Sequence, residues 1–332
     1  MKKEKMMVYN LREFDERIFF EKYSDEFGIE IVSSPDMPSL KNTYLANGCR
    51  FVNIITTPVD RPLLEEFRNL GVKYIVTRTI GFDHIDIAAA KELGIKIANT
   101  PYGPDGVAEY TIMLMLMCIR KMKSINRRFL GQDYTLKGLI GRELSDMTVG
   151  VIGTGRIGAR LIEMLSGFGC RILACSPHPN KKTAEYAEYV SLEALLKESD
   201  IITLHAPSTE ENKHMINEAA IAEMKNGAVL INTARGALID TDALIRGLDS
   251  GKIAAAGLDV VENESSLFYY DRREELLTDN KNMYLLNSYP NVIITHHMAF
   301  YTSQCVETMV RDSLRGASCD ITGKDNPWLI KY

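Results

Sequence analysis

The chain has 332 residues, is 45% hydrophobic and 25% charged, and carries a formal net charge of -5. Length sets an expectation of about two domains, the composition is that of an ordinary soluble globular enzyme, and the acidic balance leaves no basic footprint for nucleic acid. Six cysteines (Cys49, Cys118, Cys170, Cys175, Cys305, Cys319) are scattered without a C-x-x-C pair, which argues against a zinc site and against a disulfide framework and suits a reducing cytosol. The lysine-rich start is not followed by a long apolar region, so no signal peptide is expected. The longest apolar run, residues 112–119, is too short to span a bilayer, and the expected location is cytoplasmic.

Short apolar strands are expected at residues 6–9, 29–32, 51–55, 72–76 and 95–98. Between 9 and 29 lies a charged segment with Phe14, Ile18 and Phe19 at helical spacing. Helices are expected over 63–70 and 86–93, each stopped by a glycine (Gly71, Gly94) in the usual C-terminal position. Strands alternating with helices imply a parallel α/β sheet. The run Pro101-Tyr102-Gly103-Pro104-Asp105-Gly106 breaks this pattern and marks a boundary between domains. One long helix is expected from 107 to about 128, apolar nearly all round in its first half and therefore buried in a core or at a subunit contact.

Residues 147–158 organise the rest. An apolar strand, 149–152, runs into Gly153-Thr154-Gly155-Arg156-Ile157-Gly158, and then into a helix with Ile157, Leu161, Ile162 and Leu165 on one face. In G-x-G-x-x-G, the first glycine allows the tight turn, the second lets backbone approach a pyrophosphate, and the third lets helix and strand pack closely. The free N–H groups of the helix start then face phosphate. Strands at 171–175, 201–204, 228–232, 254–259 and 292–295 alternate with helices at 192–197, 218–224 and 241–250. This predicts a second doubly wound sheet of roughly six strands, with its ligand crevice at their carboxyl ends. A last amphipathic helix, 302–320, belongs to neither half by sequence.

Three of those strand ends carry unusual residues. Ile231-Asn232-Thr233-Ala234-Arg235-Gly236 supplies an arginine, residues 257–264 an aspartate and two glutamates, and residues 293–301 adjacent histidines. An arginine holds a carboxylate through two parallel N–H bonds. A histidine trades a proton with a carbonyl or hydroxyl oxygen near neutral pH, and a neighbouring carboxylate favours its protonated form. Arginine, carboxylate and histidine around a nicotinamide make a 2-keto acid reductase. Taken singly, the arginine reads as well as a surface ion-pair partner, Asp259 and Glu262 as helix caps, and the histidines as a solvated loop. Of the other histidines, His178 and His214 are expected to be exposed, His84 to support the loop before it, and His205 to be structural or a cofactor neighbour. No metal-ligand spacing appears among them.

The chain resembles the D-isomer-specific 2-hydroxyacid dehydrogenase family over nearly its whole length, and within it the D-lactate dehydrogenase branch, including the enzymes of vancomycin-resistance clusters. The resemblance rests on S-D-M-T-V-G-V-I-G before the glycine turn, I-N-T-A-R-G-A-L-I-D, G-L-D-V-V-E-N-E, P-N-V-I-I-T-H-H-M-A-F-Y-T, and T-R-T-I-G-F-D-H-I-D. It implies a Rossmann cofactor domain, 102–298, inserted into a flavodoxin-like substrate domain, 1–101 with 299–332. It implies Arg235 as the substrate-binding arginine, Glu264 as the catalytic glutamate and His297 as the acid/base histidine. The family usually has T-P-H where this chain has Thr295-His296-His297. Substrate contacts are implied at Ile80 and Gly81, whose backbone N–H groups hold the carboxylate, and at Tyr102 and Tyr301. Cofactor contacts are implied at Gly153, Gly155, Arg156, Ile157, Gly158, Ser176, His205, Ala206, Pro207, Thr233, Ala234 and, near the nicotinamide, Asp259. The expected activity is NAD(P)H-dependent reduction of pyruvate or a close 2-keto acid to the D-hydroxy acid by a homodimer, with no nucleic-acid or membrane partner. A branched or aromatic 2-keto acid is the alternative substrate. A non-catalytic dinucleotide-sensing regulator is the alternative of another class. Because no acid follows strand 171–175 before Glu185, NADP is expected to be accepted beside NAD: Ser176, His178, Lys181 and Lys182 suit a 2′-phosphate.

Overall fold

The computed structural model describes residues 3–264, 267–269, 271–275 and 280–331. The chain divides into two compact units, residues 1–103 with 301–332, and residues 104–300. Among the described residues no helix is long and apolar enough to cross a membrane.

The first unit is a five-stranded parallel sheet in the order β2-β1-β3-β4-β5. Its strands are β1 (Glu4–Val8), β2 (Ile29–Ser33), β3 (Phe51–Ile54), β4 (Tyr74–Thr77) and β5 (Lys96–Ala98), joined through helices α1 (Arg17–Ser24), α2 (Arg61–Asn69) and α3 (Ile87–Glu92). Asp60 and Asp86 cap α2 and α3 by accepting from Leu63 N–H and Ala89 N–H, which satisfies donors the helix starts leave open. Gly71 and Gly94 follow the helix ends at φ +93° and +68°, a conformation that costs glycine nothing. The helix Ser303–Thr322 returns to this unit and buries Val310, Leu314 and Ala317 with Phe51 and Tyr74.

The apolar face expected for α1 is wrong in phase. Phe14 and Ile18 are exposed, and Phe20 and Tyr23 are buried. The phase is set by a buried acid. Glu16, fully buried, accepts from Arg78 Nε at 2.9 Å, and Arg78 Nη1 reaches Asn53 Oδ1 at 2.7 Å. Glu16, Phe20 and Tyr23 therefore share one face at i, i+4 and i+7. An unpaired charge cannot be buried cheaply, so the ion pair fixes the helix to the sheet in this one orientation.

The second unit contains α4 (Asp105–Ile119), α5 (Met122–Leu130), β6 (Thr148–Ile152), α6 (Arg156–Ser166), β7 (Arg171–Cys175), β8 (Glu188–Tyr189), α7 (Leu192–Glu198), β9 (Ile201–Leu204), α8 (Glu218–Glu223), β10 (Ala228–Asn232), α9 (Thr241–Asp249), β11 (Ile253–Leu258), α10 (Lys281–Ser288) and β12 (Val292–Ile294). Its parallel sheet runs β12-β11-β10-β9-β6-β7-β8. The order reverses beside β6, the topological switch point at which such sheets bind dinucleotides. The sheet has seven strands rather than roughly six, because the two-residue β8 is too short to leave a periodic signal. It buries an apolar cluster on each face, as expected of strands covered by helices on both sides.

The single helix expected over 107–128 is two helices. α4 ends at Ile119 and Lys121 sits at φ +55° before α5. The Ile119 carbonyl accepts from Arg142 N–H at 3.1 Å, and a Cβ on Gly141 would lie 2.7 Å from that same oxygen. Residues 141–142 thus cross the end of α4 and take the carbonyl that a continuing helix would have used.

Candidate active site

The glycine turn follows β6 directly. Gly153 sits at φ +93°, and a Cβ there would meet the backbone of His205 and Ala206 at 2.7 to 2.8 Å. A Cβ on Gly158 would lie 2.0 Å from the Gly153 carbonyl oxygen. These two glycines are required by packing within the protein. Gly155 is not: a Cβ there would meet nothing within 4 Å. It is the N-cap of α6 and no side chain caps the helix. The first-turn N–H groups of Arg156 and Ile157, beside open space at the switch point, fit a dinucleotide pyrophosphate. His205, just past β9, donates its backbone N–H to Ile152 at 2.7 Å, and its Nε2 lies 2.9 Å from Thr203 Oγ1. Desolvation holds its imidazole down at about 3, so the ring is neutral and structural at neutral pH. Ala206 and Pro207 continue this strand end. Past β7, Ser176 Oγ accepts from His178 N–H at 3.3 Å. His178, Lys181 and Lys182 are exposed.

The carboxyl ends of β10, β11 and β12 lie side by side. After β10, Thr233 Oγ1 is 2.9 Å from Thr111 Oγ1 of α4, and Asn232 folds the turn by accepting from Ala234 N–H and donating to the Arg235 carbonyl. Arg235 has extended backbone dihedrals, and its Nη1 donates to the Ala234 carbonyl at 2.8 Å. A Cβ on Gly236 would lie 2.2 Å from Val261 backbone. The glycine after the arginine is therefore what lets the β10 and β11 strand ends touch.

After β11, Asp259 is fully buried. The resemblance places it near the nicotinamide; its carboxylate is engaged by its own chain. Oδ1 accepts from Thr295 Oγ1 at 2.6 Å and Met298 N–H at 2.9 Å, and Oδ2 from Ala299 N–H at 2.9 Å. Its carbonyl accepts from His297 N–H at 2.7 Å. Asp259 thus clamps the whole 295–299 segment onto β11. Sequence reading carries no signal for this, nor for Tyr110 of α4, which bonds Thr295 and is raised in pKa by burial.

Within the clamp, His297 Nδ1 faces Glu264 Oε1 at 2.5 Å, and Glu264 Oε2 accepts from Val261 N–H at 2.7 Å. The two residues are partly buried. His297 is held at φ +55°. The carboxylate engages Nδ1 and leaves Nε2 as the nitrogen turned to other chemistry. His296 is exposed and stands edge-on to Phe268, with ring centroids 6.5 Å apart. Glu262 does not share the site. Its Oε2 accepts from Thr241 N–H and Oγ1 at the start of α9, and its Oε1 meets His214 Nε2 at 2.6 Å. The capping role considered for it is the observed one, and His214, expected to be exposed, is partly buried on this pair.

The remaining residues of interest belong to the first unit. Ile80 and Gly81 follow β4. The Ile80 carbonyl accepts from Asn99 Nδ2 at 2.6 Å and the Gly81 carbonyl from Thr79 Oγ1 at 2.6 Å. Thr79 Oγ1 is 2.6 Å from Thr77 Oγ1, which lies 3.1 Å from His84 Nε2. His84 thus supports the loop through two threonines, and the loop is held by its carbonyls. Tyr102 N–H bonds the Thr100 carbonyl. Tyr301 is 38% exposed, with the Arg12 guanidinium 5.7 Å over its ring. Arg12 in turn pairs with Asp15 at 2.9 Å, and burial and the bond to Asp15 raise the Tyr301 hydroxyl.

Residues 112–299 match the family profile described as D-isomer specific 2-hydroxyacid dehydrogenase, NAD binding domain. The chain is 44% identical to an aromatic 2-oxoacid reductase of Clostridium sporogenes, over 93% of this chain and 94% of that one. It is 39% identical to the D-lactate dehydrogenase of Escherichia coli, over 95% and 96%. Among solved structures it is similar to a D-2-hydroxyisocaproate dehydrogenase, with a TM-score of 0.88, 35% identity and coverage of 98% of this chain and 99% of that one. The inserted NAD-binding unit, the two parallel sheets and these likenesses agree: the chain is an oxidoreductase belonging to the D-isomer specific 2-hydroxyacid dehydrogenase family.

Proposed function

We propose that the protein reduces a small 2-keto acid, pyruvate foremost, to the D-2-hydroxy acid, reversibly and with NADH or NADPH. The observation that carries this is the Glu264–His297 pair at 2.5 Å on the carboxyl edge of the dinucleotide-binding sheet. The reduced nicotinamide, when bound, supplies hydride to the keto carbon. His297, its ring oriented by Glu264, gives the proton on Nε2 to the forming alkoxide; in the reverse direction the neutral ring takes it back. The family resemblance assigns Arg235 to the substrate carboxylate, which its guanidinium fork suits, and assigns further carboxylate contacts to the backbone N–H groups of Ile80 and Gly81. The same resemblance assigns substrate contacts to Tyr102 and Tyr301.

An aromatic or branched 2-keto acid is the second reading, favoured by the 44% identity to an aromatic 2-oxoacid reductase. Steady-state rates with pyruvate, a branched and an aromatic 2-keto acid, followed by absorbance of the reduced nicotinamide, separate the two. A kcat/KM highest for the aromatic acid would replace pyruvate, and no turnover of any keto acid would overturn the enzyme reading in favour of a dinucleotide sensor.

NADPH acceptance is supported by the turn after β7, where no carboxylate precedes Glu185 to repel a 2′-phosphate. Ser176 offers a hydroxyl and His178, Lys181 and Lys182 positive charge. Ser176→Asp lowers kcat/KM for NADPH selectively; equal values in the variant and wild type would remove this turn from cofactor choice. A homodimer through the second unit is supported by its exposed apolar surface. Met113 and Ile140 border a groove of about 750 Å³ with Leu116, Met117 and Ile125, and Phe129, Leu130 and Leu136 of the same unit are exposed. Such a contiguous patch marks a contact surface. Light scattering at micromolar concentration that gives the monomer mass ends this part of the proposal.

A further inference from the structure

His297 adopts a left-handed backbone, φ +55°, that non-glycine residues rarely hold. Such a conformation persists when its surroundings over-determine it, and it collects at functional sites. Three anchors are visible. Its N–H is bonded to the Asp259 carbonyl, and its ring to Glu264. The third lies outside the strand ends: the hydroxyl of Tyr269 donates to the His297 carbonyl at 2.6 Å. Tyr269 is itself at φ +73°, so two residues in a disfavoured conformation are joined by one bond. Its ring lies 6.5 Å from the imidazole, tilted by 38°. The preceding Phe268 stands against His296 instead. Two adjacent aromatic residues therefore meet two adjacent histidines, one each. Tyr269 is 50% exposed, so this bond is not a core contact on which folding depends.

We propose that Tyr269 is a positioning residue for His297: its hydroxyl holds the His297 carbonyl, keeps the left-handed turn, and so keeps the imidazole aligned on Glu264, while Phe268 keeps His296 turned away. Only an arrangement that selects one of the two histidines makes the His296-His297 pair compatible with a single proton donor. The inference rests on His297 being the acid of the proposed reaction.

Tyr269→Phe removes the hydroxyl and keeps the ring. The expected result is a kcat for keto-acid reduction reduced by about five- to tenfold with KM within about twofold, the scale of one lost hydrogen bond acting on the transition state. Combined with Glu264→Gln, the effects fall short of the product of the two single changes, since both act through one imidazole. A Tyr269→Phe enzyme with wild-type kcat overturns the inference, as does a lower kcat accompanied by a lower melting temperature whose effect multiplies in full with that of Glu264→Gln, which assigns the residue to packing. His297→Asn is run beside it. If that variant is active the catalytic reading itself falls; if it is inactive while Tyr269→Phe behaves as wild type, only the positioning role falls.

Discussion

Asp259→Asn tests how the site is held. The carboxylate accepts three hydrogen bonds, from Thr295 Oγ1, Met298 N–H and Ala299 N–H, and has no solvent to replace any of them. An asparagine has one acceptor oxygen. In its better orientation it keeps Thr295 and Met298 and sets its NH2 against the Ala299 N–H, donor facing donor. One bond to a charged acceptor is lost, about 1.5–3 kcal/mol, and a buried donor is left unsatisfied, about 1–3 kcal/mol. Removing a buried charge returns part of that cost, leaving roughly 3 kcal/mol as the loss to the 295–299 segment. The direct readout is native-state hydrogen exchange at Met298 and Ala299, whose amides should exchange roughly a hundredfold faster. The loosened His297 should lower kcat by at least about tenfold while cofactor affinity holds. Exchange within about threefold of wild type at both amides would show that the carboxylate is not the clamp, and the stated hydrogen-bond costs would not apply here.

His297→Asn should abolish reduction with cofactor binding intact, whereas His296→Asn, whose ring faces Phe268 in solvent, should retain most activity; an inactive His296 variant exchanges the two roles. Glu264→Gln should lower kcat for reduction with KM little changed, because the amide no longer offers His297 Nδ1 a charged partner. Glu262→Gln should leave kcat in place and instead weaken the start of α9, which urea unfolding of both variants will distinguish. For His205 the folded value is depressed to about 3, so the unfolded chain binds the proton first. The resulting stability is complete above the unfolded value, about 6.5, and falls as pH drops toward 3, by up to about 1.4 kcal/mol per pH unit. Urea midpoints between pH 6 and pH 4 should therefore fall more steeply in wild type than in His205→Gln, and parallel slopes would contradict this.

Much of the second unit can be read from the chain because its signals are local. β7, β9 and β10 occupy the apolar runs that announce them, and the glycines of the turn answer to contacts within a few residues or with the adjacent strand. What the sequence hides is set by distant partners. The phase of α1 depends on Glu16 meeting Arg78, an acid that apolar periodicity reads as a surface residue. The break at Lys121 depends on Arg142 arriving from beyond α5. The site divides in the same way. Arg235, Glu264 and His297 stand out as residue types at strand ends, and Glu264 and His297 are then found paired. Their scaffold does not stand out, because Asp259 gathers amides from a segment almost forty residues away and His297 adopts a backbone conformation that no residue pattern announces.

The first unit is made from both ends of the chain, and this orders its birth on the ribosome. Its sheet is complete in sequence by Ala98, yet the helix Ser303–Thr322, which covers Phe51 and Tyr74 and gives Asn53 Nδ2 a partner in Ser313 Oγ, is translated only after residues 104–300. About 200 residues intervene, roughly 10–40 s of synthesis. For that interval one face of the nascent sheet is covered by α1 alone, while residues 104–300, contiguous and with both of their apolar clusters in hand, have all they need to fold. The nucleotide-binding unit thus has its whole core available before the first unit does, and a chain ended before Ser303 would leave Phe51 and Tyr74 without this helix.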